Sequence, residues 1–257
     1  MQLNYKGIVV SYTDEGTGSA LVLLHGFLEN STMWTSIKKA LLQRNRVITV
    51  DLLGHGKTDC LGYVHSMDDM AAAVAAVLQH LRLRKMIFIG HSMGGYVALA
   101  FAAQFPGKMK GLCLLNSTTN TDSAARIQIR TRANTAAKKN YQNVVGMSIA
   151  NLFSPESRAL FPAAIAAAKT TALQTPLQGY IAAQEGMKTR KNYTQLLQEL
   201  PCKKLFIAGE KDPVLPVASL YLETKETSTP LEVLSGGHMS HLENEVALIR
   251  LLQDFVK

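Results

Sequence analysis

Apolar and polar positions alternate between two regimes along the chain. Short, nearly continuous apolar runs occur at Ala20–Leu24, Val47–Val50, Met86–Ile89, Leu112–Leu115, Lys204–Ala208 and Leu231–Leu234, each bounded by glycine or polar residues. Runs of that length suit strands covered on both faces. Between them lie stretches with apolar residues at helical spacing: Met33–Leu42, Met67–Leu81, Tyr96–Ala103, a helix near Pro216–Glu223, and His241–Val256, where Leu242, Val246, Ile249, Leu252 and Phe255 share one face. Ser66 is placed to cap the second helix, with Asp68 and Asp69 in its first turn. Ile8–Tyr12 and the Gly16–Gly18 turn read as an opening hairpin. Strands alternating with helices predict an α/β fold: a mostly parallel sheet with helices on both faces.

The alternation fails once. From about Thr118 to Gln195 the chain is rich in alanine, polar and basic, with helical stretches broken at Pro155, Pro162 and Pro176. The expected organisation is therefore a core of residues 1–117 and 196–257, interrupted by a helical cap at 118–195 within a single overall domain. Of the net charge of +8, nearly all resides there: between Ser117 and Thr194 ten cations face three acids. Those cations either bind an anionic substrate, with Arg126, Arg130 and Arg190 as candidate contacts, or solvate an exposed helical surface. No basic helix is interleaved with aromatics, so a nucleic-acid partner is not expected.

Composition narrows the class further. Hydrophobic residues at 47% and charged residues at 18% fit a globular enzyme. The first residues lack the basic-then-apolar pattern of a secretion signal, and no apolar run approaches the roughly 18 residues needed to span a bilayer. A cytoplasmic protein without stable membrane insertion is expected. Cys60, Cys113 and Cys202 are odd in number and far apart, which argues against a disulfide framework or zinc site. Oligomeric state is not legible.

The stretch with chemical content is Gly90-His91-Ser92-Met93-Gly94, which sits between an apolar strand and a helix. A strand-to-helix turn that tight needs flanking glycines and leaves the central serine exposed at its tip. A serine hydroxyl needs a base, and the base needs a carboxylate to hold its tautomer. Asp212 follows one later strand, with Glu210 as competitor, and His238 follows the next, with His241 as competitor; Asp212 and His238 are the favoured pair. His238 and His241 lack a third ligand pattern, so no metal is expected. Asn116 ends the strand before the insertion, where an amide cannot serve as the acid. Backbone N–H groups of Met93 and Phe27 are the candidate oxyanion-hole donors, while His25 and His91 are candidate substrate contacts.

His25-Gly26-Phe27, Asp51-Leu52-Leu53-Gly54-His55-Gly56, Gly90 to Gly95, Gly209-Glu210-Lys211-Asp212 and Gly237 to Glu243 occur in this order. Together they resemble the α/β-hydrolase superfamily, and within it the small cap-bearing branch of esterases, lactonases, carbon–carbon hydrolases and cofactor-free haloperoxidases. The resemblance implies an eight-stranded-type sheet and a cofactor-free reaction on a small molecule. It assigns Ser92 as nucleophile, His238 as base and Asp212 as orienting acid. Leu53 replaces the family's usual proline, and Asp51 and His55 belong to a segment read as structural. Haloalkane dehalogenases and epoxide hydrolases of this fold carry aspartate where Ser92 stands. The first expectation is a serine hydrolase acting on a small carboxylic ester or related acyl bond. The alternative is a lyase or carbon–carbon hydrolase using the same triad on an anionic substrate, weakened because Tyr96 occupies a position where such lyases commonly carry arginine. A non-catalytic binding protein on this fold is the remote third.

Overall fold

The computed structural model describes residues 1–257. In chain order the elements are β1 (Gln2–Tyr5), β2 (Ile8–Glu15), β3 (Ser19–Leu24), α1 (Thr35–Leu41), β4 (Asn45–Val50), α2 (Met67–His80), β5 (Met86–His91), α3 (Met93–Gln104) and β6 (Met109–Leu115). Six helices follow: α4 (Ala124–Lys139), α5 (Tyr141–Ala150), α6 (Pro155–Leu160), α7 (Pro162–Ala172), α8 (Leu177–Lys188) and α9 (Thr194–Glu199). The chain closes with β7 (Lys203–Gly209), α10 (Val217–Thr227), β8 (Leu231–Leu234), α11 (Ser240–Glu243) and α12 (Glu245–Phe255).

The eight strands form one sheet in the order β1-β2-β4-β3-β5-β6-β7-β8. Only β1 and β2 run antiparallel to their neighbours. After β3 the chain goes outward to β4 and then back across β3 to β5, so the direction of winding reverses between β3 and β5. In open sheets of this kind ligands bind outside the carboxyl ends of the strands at that reversal. The carboxyl ends of β3 and β5 carry His25-Gly26-Phe27 and Ser92.

The continuous apolar runs are explained by period-two packing onto both faces. Val22, Leu24, Ile48, Phe88, Leu112 and Phe206 join α2 and α3 in one core layer. Leu21, Leu23, Val47, Ile89, Cys113 and Ile207 join α1 and α12 in the other. Each such Val, Leu, Ile or Phe side chain, fully withdrawn from water, contributes about 1.5–3 kcal/mol before entropic costs. The six helices between β6 and β7 build a third, smaller core from Val145, Ile149, Phe153, Ile165 and Tyr180, which captures Leu28 and Met239 from the sheet loops. Pro155 and Pro162 occupy first turns of α6 and α7, and Pro176 is the residue before α8, so the prolines start helices here.

Three elements differ from expectation. The hairpin turn lies at Lys6-Gly7, both with positive φ (50° and 82°), because an unanticipated β1 pairs with β2. Gly16–Gly18 instead carries the chain from β2 to β3 past the start of β4, where a Cβ on Gly16 would lie 2.5 Å from Asn45 O. The helix expected over Met33–Leu42 begins with a 3₁₀ turn, Ser31–Trp34, capped by Asn30. The closing helix is interrupted at Asn244 (φ −138°). Asn244 Oδ1 accepts from Gly236 N–H at 2.8 Å, and the Glu243 carboxylate accepts from Gly237 N–H at 2.9 Å and Met239 N–H at 3.0 Å. Both side chains are thereby spent on the loop that carries His238.

Candidate active site

Ser92 has φ 50° and ψ −114°, a strained conformation for an L-residue. The turn is held by Ser92 N–H to Leu115 O (2.9 Å), Gly95 N–H to Ser92 O (2.9 Å) and Ser117 Oγ to Ser92 O (2.8 Å). Glycine at position 94 is required by closeness: an added Cβ would stand 2.2 Å from Leu24 O, on the neighbouring strand. The turn therefore presses the amino end of α3 against the end of β3 and aims the Ser92 hydroxyl over the sheet edge.

His238 Nε2 lies 2.9 Å from Ser92 Oγ, and His238 Nδ1 lies 2.7 Å from Asp212 Oδ2. Asp212 Oδ1 accepts from Val214 N–H (2.8 Å) and Leu215 N–H (2.9 Å), while Oδ2 also accepts from Asn116 Nδ2 (3.1 Å). Burial acts to raise the Asp212 pKa, but the adjacent His238 imidazole and these donors outweigh it and hold the carboxyl below its ordinary value. Asp212 is thus an anion that fixes the Nδ1–H tautomer, leaving Nε2 to face the serine. The competitors are elsewhere: Glu210 is exposed to solvent, and His241 packs against the His91 ring at 5.5 Å between centroids.

Phe27 follows β3 and borders the same cavity as Ser92, and Met93 follows Ser92 at the start of α3. The Phe27 N–H has no acceptor within the chain, and Met93, the first residue of α3, has an N–H that helix geometry leaves without an intrahelical partner. A cavity of about 280 Å³ opens here, bordered by Phe27, Ser92, Tyr96 and His238 below and by residues of α4, α5 and α8 above, including Ile129, Ile149 and Tyr180.

Three candidate substrate contacts have other partners. His25 is fully buried, with Nδ1 2.8 Å from Gly26 O and Nε2 accepting from Leu52 N–H at 2.9 Å. His91 borders the cavity, but its nitrogens face Glu29 Oε2 (2.7 Å) and His238 O (2.9 Å). Arg190 is buried where the insertion meets α3, paired with Asp122 at 2.5 Å and stacked on Tyr96 with its guanidinium carbon 4.2 Å from the ring centroid. Arg126 and Arg130 do border the cavity; Arg130 also bridges to Asp122 and Gln184. The segment read as structural behaves as such: Asp51 accepts from Ser31 N–H and Lys57 N–H.

Glu29 was not legible from its neighbours. No spacing rule links it to residue 91, and only the fold brings them together. Glu29, His91 and His241 form the cluster of metal-type ligands in the molecule, with ligand atoms within 4.8 Å of one another. His91 already uses both nitrogens in short hydrogen bonds, so the trio fits an internal polar network better than a metal centre.

A family model described as the alpha/beta hydrolase fold matches residues 19–245. The chain is 39% identical over 102 residues to an uncharacterised protein of Mycobacterium tuberculosis (strain ATCC 25618 / H37Rv), a match covering 40% of this chain and 30% of that one. The chain thus spans less than a third of that relative's length. Similarity to the pimeloyl-[acyl-carrier protein] methyl ester esterase of Xylella fastidiosa (strain M23) is 25% over 251 residues and takes in 94% of this chain and 96% of that one. A thermophilic esterase from Thermogutta terrifontis superposes with a TM-score of 0.92 at 28% identity, covering 99% of this chain and 96% of that one. No helix is long and apolar enough to cross a membrane. With the family model spanning most of its length and an eight-stranded sheet wound as that family's is, this chain belongs to the α/β hydrolase fold family.

Proposed function

We propose that the protein is a serine hydrolase that cleaves a small carboxylic ester or related acyl bond, with residues 118–195 as a helical cap over a core of 1–117 and 196–257. The observation that carries this reading is the unbroken chain of hydrogen bonds from Ser92 Oγ through His238 to Asp212, at the floor of the cavity. Likeness to two esterases along nearly the whole chain supports it.

In this scheme Ser92 Oγ attacks the acyl carbon as His238 Nε2 takes its proton. The carbonyl oxygen becomes an oxyanion that receives the N–H groups of Phe27 and Met93, and Asp212 stabilises the imidazolium. His238 then gives its proton to the leaving alcohol, forming the acyl-enzyme. Water, deprotonated by the same nitrogen, repeats the addition and releases acid and free serine. Every proton has a carrier among these residues.

Turnover of short p-nitrophenyl esters and covalent labelling by a fluorophosphonate are the expected outcomes, both abolished in Ser92→Ala. A wild-type protein inert to a broad ester panel and to the label would overturn the reading. A second reading, lyase or carbon–carbon hydrolysis on an anionic substrate, is favoured by one observation: Arg126 and Arg130 border the cavity from α4. Paired neutral and carboxylated substrates distinguish the two.

A further inference from the structure

We propose that the buried Glu29–His91 pair is an ionic clamp that sets the relative position of the three loops carrying the oxyanion donor, the nucleophile and the base. This rests on the triad reading of Ser92, His238 and Asp212, and it makes Glu29 and His91 positioning residues for that chemistry.

Glu29 lies on the loop after β3 and is 6% exposed. Its Oε2 accepts from the Gly26 N–H at 2.7 Å, one residue before Phe27. The same oxygen is 2.7 Å from His91 Nδ1, one residue before Ser92. The other nitrogen of that ring, Nε2, is 2.9 Å from the main-chain oxygen of His238. One carboxylate and one imidazole therefore join residues 26, 91 and 238, each at or beside a reacting group. Position 26 must be glycine for the pair to exist: a Cβ there would lie 2.5 Å from Glu29 Oε2 and 2.7 Å from His91 Nδ1.

The charge state follows from donor counting. A carboxylate and a peptide carbonyl can only accept, so a ring between them must donate from both nitrogens and is an imidazolium. The electrostatics agree. Burial opposes ionisation of both groups, but their mutual attraction and hydrogen bond outweigh it, lowering Glu29 to about 2 and raising His91. The other titratable groups facing the pair are His25, His241, Asp212 and His238, whose ring centroid lies 5.3 Å from that of His91. His25 accepts from Leu52 N–H and is neutral, and burial lowers His241 to about 4, so it too is neutral near pH 7. Glu29 and His91 thus form a pair of opposite charges, and the other anion acting on it is Asp212, which lies 2.7 Å from His238 Nδ1.

A charged pair in a dry interior holds geometry because displacing either partner exposes an uncompensated charge. Positional errors of about 1 Å in a reacting group can cost 10²-fold in rate. Truncating the clamp should therefore lower kcat while leaving substrate binding in the cavity nearly intact.

The test has two arms. In protein labelled with ¹⁵N-histidine, His91 is expected to carry protons on both ring nitrogens at pH 8; a neutral His91 ring overturns the proposal whatever the activities. In kinetics on a short p-nitrophenyl ester, Glu29→Gln and His91→Gln are each expected to lower kcat 10- to 100-fold with KM changed less than 3-fold. The double variant should be no worse than the weaker single one, because both remove the same device. Unchanged kcat in a folded Glu29→Gln overturns the clamp while an inactive Ser92→Ala leaves the triad standing. An active Ser92→Ala removes the triad reading instead, which the imidazole spectrum does not address. Should Glu29→Gln fail to fold, the wild-type spectrum and His91→Gln decide the matter.

Discussion

Asn116 Nδ2 donates to Asp212 Oδ2 across 3.1 Å, the same oxygen that accepts from His238 Nδ1. Asn116 also donates to Gly237 O at 3.2 Å, so one amide steadies both Asp212 and the loop that carries His238. Its φ of 46° is one that asparagine tolerates better than most residues. Asn116→Gly keeps that backbone and deletes the amide. Loss of a hydrogen bond to a charged group costs about 1.5–3 kcal/mol, so kcat/KM on a reactive ester should fall about 10-fold or more. Steady-state kinetics check this, with unchanged kcat/KM as the contrary result.

Acid should weaken the fold through Glu29 and Asp212 before it touches the core. Both carboxyls have folded pKa values below their unfolded ones, Glu29 at about 2. The unfolded chain then binds more protons at low pH, and the stabilisation is complete above the unfolded pKa and is lost as pH falls through the folded one. Glu29 alone accounts for about 3 kcal/mol between pH 5 and pH 2. His91 has the opposite sign: its raised pKa contributes below about 6.5 and its share fades as pH rises through the folded value. Urea unfolding from pH 2 to 9 should show a plateau near neutrality, and the acid slope should flatten in Glu29→Gln.

Glu223 on α10 anchors the start of the helical insertion. Its buried carboxylate accepts from Thr118 Oγ1 (2.5 Å), Thr119 N–H (2.6 Å), Thr119 Oγ1 (2.7 Å) and Asn120 Nδ2 (3.0 Å). The end of the insertion joins the same knot, because Tyr193 N–H donates to Thr119 O at 2.9 Å. Glu223→Leu strands several buried donors and should destabilise by about 2–4 kcal/mol. Hydrogen exchange should accelerate at residues 118–120 and 193–194 more than in β5 or β6.

Arg126 is the cationic cavity residue without an acidic partner; its guanidinium donates to Val214 O at 2.8 Å. Arg130 shares Asp122 with Arg190, so changing it disturbs more than charge. If the cavity takes an anionic substrate, Arg126→Ala should lower kcat/KM for a carboxylated ester about 10-fold, and neutral esters less than 2-fold. The preference should shrink in high salt, since a half-open site is screened. Equal effects on both substrates would assign Arg126 to structure.

That Ser92, Asp212 and His238 meet at one edge of the sheet could be read along the chain because each obeys a local rule. A strand-to-helix turn needs glycines beside its serine, and the parallel winding puts successive strand ends on one edge, so chain order carries spatial order. The apolar runs of β3 to β7 were legible for a similar reason, since burial on both faces removes polar residues from both phases of the strand. The 3₁₀ entry to α1 and the break at Asn244 escaped that logic. They arise from side chains recruited by distant loops, as when Glu243 and Asn244 turn back to hold Gly236–Met239.

The pairing of Glu29 with His91, of Asn116 with Asp212 and of Arg190 with Tyr96 had no local signature. Hydrogen bonds between residues 62 or 96 positions apart depend on which loops the sheet brings together. The same holds for the basic insertion, where composition reported ten cations but not which of them turn inward. Periodicity and turn chemistry act over a few residues and so can be read in one dimension. Desolvation, ion pairing and cavity shape are properties of neighbours in space, and they exist only once the chain has closed over Ser92.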